Sequence, residues 1–362
     1  MQNNVIFQNM MKNFNPQMFV PQIFNPEKLH PTVKARLIHD VVYQTKFGLY
    51  AKVPKVKSSK FQYVKDFTPI PPNNICSVEV VYEHALTIAE QYAEKGNLNY
   101  NNFNQLYPVV LNVVGRNFAC SNLENSEFMR DEIMNMRTTF NCETQMSISC
   151  YPIRDDECVY NRIITVIKPK NPFESFLGYD KMYRVAMITT CPVKVDTLLD
   201  DEKMHSSDFL KTCTVIESIF QVAILKNHYI LILTPFGHNK EDNNPVEDII
   251  KIYNFYIYKY GNFFKKIIIG IPPYYPKQIF EMYKNNIIDP NKLTESVDKK
   301  YEQMQTKQKL IEKTQNYSFG DESVNNKNKQ QNAIQNQNLQ QFTPEQMQLL
   351  ATMLQSYQQP IN

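Results

Sequence analysis

The sequence predicts an α/β fold, a three-layer α/β/α arrangement with a mixed central sheet, flanked by a flexible N-terminal arm and a polar C-terminal tail. Short apolar runs rich in branched residues alternate with amphipathic stretches of helical period along most of the chain. One stretch, Asn227 to Pro273, carries a complete strand, loop, helix, strand unit. Both ends shift to polar composition without such periodicity, so they are expected to lie outside the core.

This unit predicts a right-handed crossover between parallel strands. Tyr229–Thr234 and Lys266–Ile271 read as buried strands. Between them we expect a helix with Asn244 as N-cap, Pro245 at its first position and Gly261 closing it in the left-handed conformation. Because ligands bind outside the carboxyl ends of strands in such sheets, the loop after the first strand is the predicted functional loop.

The remaining elements are justified by the same signals of period, caps and stops. In the first third of the chain we expect a helix capped by Thr32 and ending at Gly48, an edge segment at Lys52 to Lys60, a strand at Ser77–Val81 and a helix that ends at about Lys95. Next we expect a strand at 107–114, a helix that ends at Arg137, and strands at 162–167 and 184–189. A helix capped by Ser207 and a helix at 277–285 complete the elements outside the crossover unit.

Composition divides the chain into three parts. Residues 1–29 are predicted to be a disordered Asn/Phe-rich arm, residues 30–290 the folded domain, and residues 291–362 a Gln/Asn-rich tail. A capping box at Thr343 opens a short amphipathic helix near the end of that tail. Such a helix either docks on its own domain or binds a protein partner, and both readings stay open.

Charge and cysteine content exclude several function classes. A net charge of +3 over 362 residues argues against nucleic-acid binding. Seven cysteines without a Cys-x-x-Cys pair predict free thiols in a reducing compartment. No apolar run has the length of a membrane span or a signal core, so we expect a soluble, cytoplasmic or otherwise intracellular protein. We expect no metal, because Cys142, Cys150 and Cys158 have no histidine between them, and no cofactor.

The order of these segments resembles the microbial poly(ADP-ribose) glycohydrolase-like macrodomains over roughly Val33 to Asn286. The family's “VEVV” strand is similar to Val78–Val81, and its “VLNFAN” strand to Val110–Val114. Its strand ending in “ITAPAPN” is similar to Val185–Pro192, and its “LVLGAxGCGxFxNPP” segment to Leu231–Asn239 followed by Asn244-Pro245. The resemblance implies a macrodomain-like fold that binds ADP-ribose or an ADP-ribosylated protein.

The resemblance also implies roles for particular residues. Matching Arg137-Thr-Thr-Phe140 to the family's “RSTL” places Glu132 on the catalytic acid and Asp131 on the glutamate beside it. Asn112 would lie beside the site. The second ligand loop would be Phe236, Gly237, His238 and Asn239. The chain then reads as a divergent member that recognises ADP-ribose or a related nucleotide and hydrolyses ADP-ribosyl linkages, with Glu132 as general acid/base.

A second interpretation stays open. The family's triple glycine is absent, Arg130 stands where it has glutamine, and His238 to Glu241 replace its Cys-Gly-x-Phe. Side chains at former glycines obstruct the approach of backbone N–H groups to a diphosphate. Glu132 would then form only surface ion pairs along its helix. The chain would be a catalytically inactive interaction or scaffold protein that acts through its surface and its C-terminal tail.

Overall fold

The computed structural model describes residues 29–51, 53, 58–72, 74–96, 107–116, 132–140 and 150–289. The predicted tail with its terminal helix lies outside these residues, as does the predicted arm apart from Leu29. Within the described part, no helix is long and apolar enough to cross a membrane. The same residues contain no group of three His, Cys, Asp or Glu side chains that could hold a metal ion.

Seven strands of the described chain form one mixed sheet in the order β1-β4-β5-β3-β6-β7-β2. Their bounds are β1 Ser58–Gln62, β2 Ser77–Val81, β3 Val109–Val113, β4 Glu157–Val166, β5 Tyr183–Thr190, β6 Ile230–Leu233 and β7 Lys266–Gly270. Strand β4 is antiparallel to both its neighbours, and the other pairs are parallel. The carboxyl ends of β2, β3, β5, β6 and β7 therefore meet at one edge of the sheet.

Helices cover both faces of this sheet, which confirms the predicted α/β/α arrangement. They are α1 Pro31–Lys46, α2 Ala85–Glu90, α3 Glu132–Arg137, α4 Ser206–Leu225, α5 Val246–Tyr260 and α6 Lys277–Asn286. Helices α4 and α5 pack with β3 through Leu111 in the larger apolar cluster. Helices α2 and α3 pack on the opposite face, where Val110 and Met134 share the second cluster.

The predicted unit from β6 through α5 to β7 is present, and its two strands pair in parallel with Ile230 opposite Lys266. Two details of the prediction were wrong. Pro245, and not Asn244, is the N-cap, because the Asn244 side chain is used elsewhere in the loop. Gly261 has φ −52° and begins a short 3-10 turn, so the helix does not end in a left-handed residue.

Three other helix starts or lengths differ from the prediction. Helix α1 is preceded by His30, whose Nδ1 accepts a hydrogen bond from the Thr32 backbone, so Thr32 is not the cap. Helix α4 begins one residue before Ser207. Helix α2 stops at Glu90, because the chain turns to pair Lys95 with β5. Caps were misplaced by one or two residues, and the end of α2 by about five. Strand β4 begins at Glu157, five residues before the predicted Arg162, and each of these elements was otherwise predicted in the right place.

Candidate functional site at the carboxyl edge of the sheet

A polar row of two side chains, Asn112 and Thr189, crosses neighbouring strands near their carboxyl ends. Asn112 on β3 lies opposite Thr189 on β5, and Thr234 directly follows β6, the strand on the other side of β3. Val110 and Ile232, two residues earlier on β3 and β6, belong to the apolar cluster under α2 and α3. Since side chains alternate along a strand, the polar row lies on that same face.

Asn112 is the most unusual member of this row. Its side chain is buried, and its Nδ2 donates a hydrogen bond to Thr189 Oγ1 at 3.3 Å. Within the described residues its Oδ1 has no hydrogen-bond partner. A buried acceptor without a partner costs roughly 1–3 kcal/mol. The position is thus suited to a ligand that brings a hydroxyl or N–H donor to the carboxyl edge.

Helix α3 begins at Glu132 on the same face of the sheet. Thr138, just after the last residue of α3, pairs with Val166 at the edge of the sheet opposite the carboxyl edge. The chain enters α3 from the side of β3 that lies at the carboxyl edge, so Glu132 is at the end of α3 nearer the polar row. The Glu132 side chain and the whole of Asp131 lie outside the described residues.

Arg137 fixes the other end of α3. Its guanidinium is buried and donates from Nη1 to Thr87 Oγ1 at 3.3 Å and from Nη2 to Tyr183 Oη at 3.5 Å. Its backbone oxygen accepts hydrogen bonds from the N–H groups of Ile167 and Lys168. One residue thus joins α3 to α2, β5 and the end of β4, which holds the short helix in place.

Gly237 shapes the loop between β6 and α5. Its φ is +70°, and a Cβ added there would lie 2.6 Å from Asn244 Nδ2 and 3.0 Å from Pro192 Cβ. Its backbone oxygen accepts the Asn244 N–H at 2.8 Å. Both the left-handed conformation and the close approach require glycine at this position.

Asn244 ties this loop to the segment after β5. Its Nδ2 donates to the backbone oxygens of Val193 at 2.8 Å and Asp242 at 2.9 Å. The side chain is buried, and its Oδ1 has no partner within the described chain. Asn244 was predicted as a helix cap; the structure makes it a second buried carboxamide close to the edge.

The side chains of the other predicted loop residues have structural contacts. His238 bonds through Nδ1 to the Asn244 backbone oxygen at 2.9 Å and through Nε2 to Tyr283 Oη at 2.7 Å. Burial lowers the pKa of His238 to about 4, since it disfavours the charged imidazole, and the bond to Asn244 only partly opposes this shift. Asn239 Oδ1 accepts the Glu241 and Asp242 N–H groups at 3.0 and 2.8 Å.

Phe236 has a fully buried ring inside the larger apolar cluster, and so it supports the loop from below. Of the predicted ligand residues, the structure brings Asn112 and the Gly237 loop to one edge, because β3 and β6 are neighbours. Sequence reasoning missed Thr189 and the tertiary role of Asn244. The hydroxyl pair that ends the apolar run of β5 could have indicated Thr189.

Comparison with solved structures identifies bacterial poly(ADP-ribose) glycohydrolases. A mutant of the enzyme from Thermomonospora curvata is 12% identical with a TM-score of 0.54, over 71% of this chain and 100% of that chain. The same enzyme bound to the inhibitor ADP-HPD is 12% identical with a TM-score of 0.54, over 70% and 99%. No protein-family model matches the chain, and no curated protein matches it by sequence.

At this identity the likeness concerns the fold alone. The mixed seven-stranded α/β sheet of the described chain is the fold of these glycohydrolase structures, which confirms the expected architecture and the resemblance at that distant level. The roles of Glu132, Asp131 and the loop residues stay predictions.

Proposed function

We propose that this chain is a divergent macrodomain that recognises ADP-ribose or a related nucleotide at the carboxyl edge of its sheet. The observation that carries the proposal is the buried Asn112 side chain, whose Oδ1 has no partner within the described residues. Ribose hydroxyls and adenine N–H groups are donors of the kind this oxygen needs. The distant likeness to a glycohydrolase with bound ADP-HPD supports the same class of ligand.

We further propose that the site hydrolyses ADP-ribosyl linkages. In this reaction Glu132 donates a proton to the leaving oxygen as the bond to the ribose C1 breaks. Asp131 accepts a hydrogen bond from a ribose hydroxyl and so orients the sugar. The carboxylate of Glu132 then takes a proton from the attacking water, which restores the acid. Arg137 supports this step by holding α3, whose first residue is Glu132.

Calorimetric titration of ADP-ribose into the full chain tests recognition, with AMP as the comparison ligand. We expect binding in the micromolar range, about −8 kcal/mol. Asn112→Val should weaken that binding at least tenfold. Its free energy of unfolding should fall by no more than about 1 kcal/mol, because valine suits a buried strand and removes an unpartnered acceptor.

The matched control is Asn254→Ala. Asn254 lies on α5, the helix on the other face of the sheet from the polar row, and its side chain bonds to the backbone at Asn286 and Ile288. This variant should bind ADP-ribose as the unchanged chain does. Absence of heat and of any thermal shift at millimolar ADP-ribose would contradict the proposal. The chain would then be an interaction protein that retained the fold and lost the ligand site.

A further inference from the structure

An anionic ligand at this edge needs a donor other than a glycine-rich loop. Residues 117–131, which follow β3, contain no glycine, and Gly115 is the only glycine between Val113 and Glu132. Backbone N–H groups in a loop of residues with side chains approach phosphates less closely than those of glycine. A cationic side chain just before this stretch of sequence would provide the missing contact.

Arg116 occupies that position. It is the third residue after β3 and lies at the carboxyl edge. Its backbone oxygen accepts the Ile153 N–H at 2.9 Å, and its Nη1 donates to the Ile153 backbone oxygen at 3.4 Å. Its Nη2 forms an ion pair with the Asp155 carboxylate. The guanidinium is therefore held at the edge before any ligand arrives.

The ion pair is accessible from solvent. The Arg116 side chain is 40% exposed and the Asp155 side chain 37%. Pairs this exposed contribute little to stability, because water and salt screen them. A phosphate group can bind the guanidinium fork through two oxygens, whereas the pair with Asp155 is made through Nη2 alone. A phosphorylated ligand would therefore compete with Asp155 for Arg116.

Arg116 also lies close to β5 at this edge. Two residues before it, the Val114 N–H donates to the Thr190 backbone oxygen at 3.0 Å, so the chain is still paired with β5 there. Burial lowers the pKa of the Arg116 guanidinium, but the hydrogen bond and charge of Asp155 outweigh burial and raise it. The guanidinium therefore stays charged at the edge that β3 shares with β5 and β6.

We infer that Arg116 is a ligand-binding residue that holds the phosphates of a nucleoside diphosphate, with Asp155 as the anion that the ligand displaces. The inference rests on the proposed function, since it assigns a residue to the same site. It predicts opposite effects for the two members of one ion pair. Loss of the guanidinium weakens binding of the phosphorylated ligand, and loss of the Asp155 charge strengthens it.

The test uses the full chain and calorimetric titration with ADP-ribose, adenosine and inorganic pyrophosphate. Arg116→Gln should weaken ADP-ribose binding about tenfold or more, because a charge-assisted hydrogen bond is lost. Asp155→Asn keeps an oxygen acceptor for Arg116 and should tighten ADP-ribose binding about threefold, as one competing charge is removed. Adenosine, which has no phosphate, should bind all variants equally. Lys46→Gln removes one positive charge from an exposed position on α1, outside the carboxyl-edge loops, and should change nothing.

Each result supports or overturns the inference. If the unchanged chain binds ADP-ribose and Arg116→Gln binds it within twofold, the inference is wrong while the proposed function stands. If the unchanged chain does not bind ADP-ribose at millimolar concentration, the proposed function is wrong. Titration with pyrophosphate then decides whether Arg116 binds phosphates. Pyrophosphate binding that Arg116→Gln abolishes keeps an anion site at Arg116, and absence of pyrophosphate binding overturns it. If Arg116→Gln does not fold, the test of the inference is the binding of ADP-ribose to Asp155→Asn. Binding that is equal to or weaker than that of the unchanged chain overturns the inference.

Discussion

The Nε2 atom of His238 lies 2.7 Å from the hydroxyl of Tyr283, which joins the loop after β6 to α6. On the other side of the ring, Nδ1 lies 2.9 Å from the backbone oxygen of Asn244, an acceptor that requires a proton on Nδ1. The neutral ring therefore donates from Nδ1 to Asn244 and accepts at Nε2 from the Tyr283 hydroxyl. A proton added at Nε2 would force the Tyr283 hydroxyl to accept this hydrogen bond instead of donating it.

This arrangement predicts that acid destabilises the protein. Burial lowers the pKa values of His238 and His228 to about 4, below the ordinary value of 6.5. Between about pH 6.5 and pH 4 the unfolded chain binds protons that the folded chain does not, so the free energy of unfolding falls as pH falls through this window. The stability that the two neutral histidines contribute is fully present above pH 6.5. One pKa unit corresponds to about 1.4 kcal/mol, so the loss should reach a few kcal/mol.

Urea denaturation at several pH values from 7.5 to about 4.5 measures this loss of the free energy of unfolding. The free energy of unfolding of His238→Gln should depend less steeply on pH than that of the unchanged chain. Glutamine can donate and accept hydrogen bonds without titrating. The slope against pH, and not the absolute stability, is the readout, because the substitution also changes packing. Equal slopes for the two proteins would mean that His238 titrates alike in the folded and unfolded chain.

Gly237→Ala should destabilise the loop that forms one wall of the site. Alanine would have to adopt φ +70°, with its Cβ 2.6 Å from Asn244 Nδ2. The expected loss is about 1–3 kcal/mol in the free energy of unfolding by urea. Gly178→Ala is the matched control, because its added Cβ meets only the side-chain tip of exposed Asp180. Equal stability of the two variants would contradict this account of Gly237.

Glu217 holds a buried polar cluster on the opposite face of the sheet. Its carboxylate accepts hydrogen bonds from the hydroxyls of Tyr63 at 3.0 Å, Tyr256 at 3.3 Å and Tyr260 at 2.6 Å, and from Lys259 Nζ at 2.7 Å. Tyr63 begins the segment that connects β1 at one end of the sheet to β2 at the other. The buried Glu217 carboxylate therefore links the β1–β2 segment to α4 and α5 through hydrogen bonds.

Glu217→Ala should consequently cost about 3–5 kcal/mol, because it leaves two buried hydroxyls, the half-buried Tyr63 hydroxyl and an ammonium group without this acceptor. Glu217→Gln should cost less, since one acceptor oxygen remains. Glu174→Ala, at an exposed position, should stay within about 0.5 kcal/mol of the unchanged chain. Urea unfolding of the three variants gives the comparison, and a Glu217→Ala loss as small as that of Glu174→Ala would show that the cluster contributes little.

Local pattern predicted β2 and β7 well because their signal is short in range. The isoleucine-rich run of β7 and the alternation of β2 each lie within five residues, and Ser77–Val81 was placed without error. The cap of α5 was misplaced for a physical reason. Asn244 has the chemistry of a cap, but its Nδ2 bonds to Val193, which is distant in sequence. Contacts of this kind have no local signature.

The candidate site was partly predictable for the same reason. Asn112 was identified through the motif of its strand, yet its value as a site residue depends on the pairing with Thr189 on β5. The ion pair of Arg116 with Asp155 joins the end of β3 to the turn before β4, and no spacing in the sequence indicates it. The contacts that define the site join residues distant in sequence, and local sequence patterns do not predict such contacts.

Glu132→Gln should separate hydrolysis from binding. Glutamine keeps the size and a hydrogen-bonding oxygen of glutamate but cannot donate or take the catalytic proton. We expect release of ADP-ribose from an ADP-ribosylated protein to fall by roughly 10²–10⁴-fold, the range that general acid/base groups contribute. Binding of free ADP-ribose should change by less than about threefold, because the residue acts on the reacting bond.

Glu174→Gln is the control for this change, since that glutamate is exposed, lies between β4 and β5 and is outside the proposed reaction. Its release rate should match that of the unchanged chain. If the unchanged chain binds ADP-ribose but releases none from an ADP-ribosylated protein, it recognises the ligand without hydrolysis. If release occurs and Glu132→Gln leaves its rate unaltered, another group supplies the proton. The match of Arg137 to the family's “RSTL”, from which the role of Glu132 follows, would then be wrong.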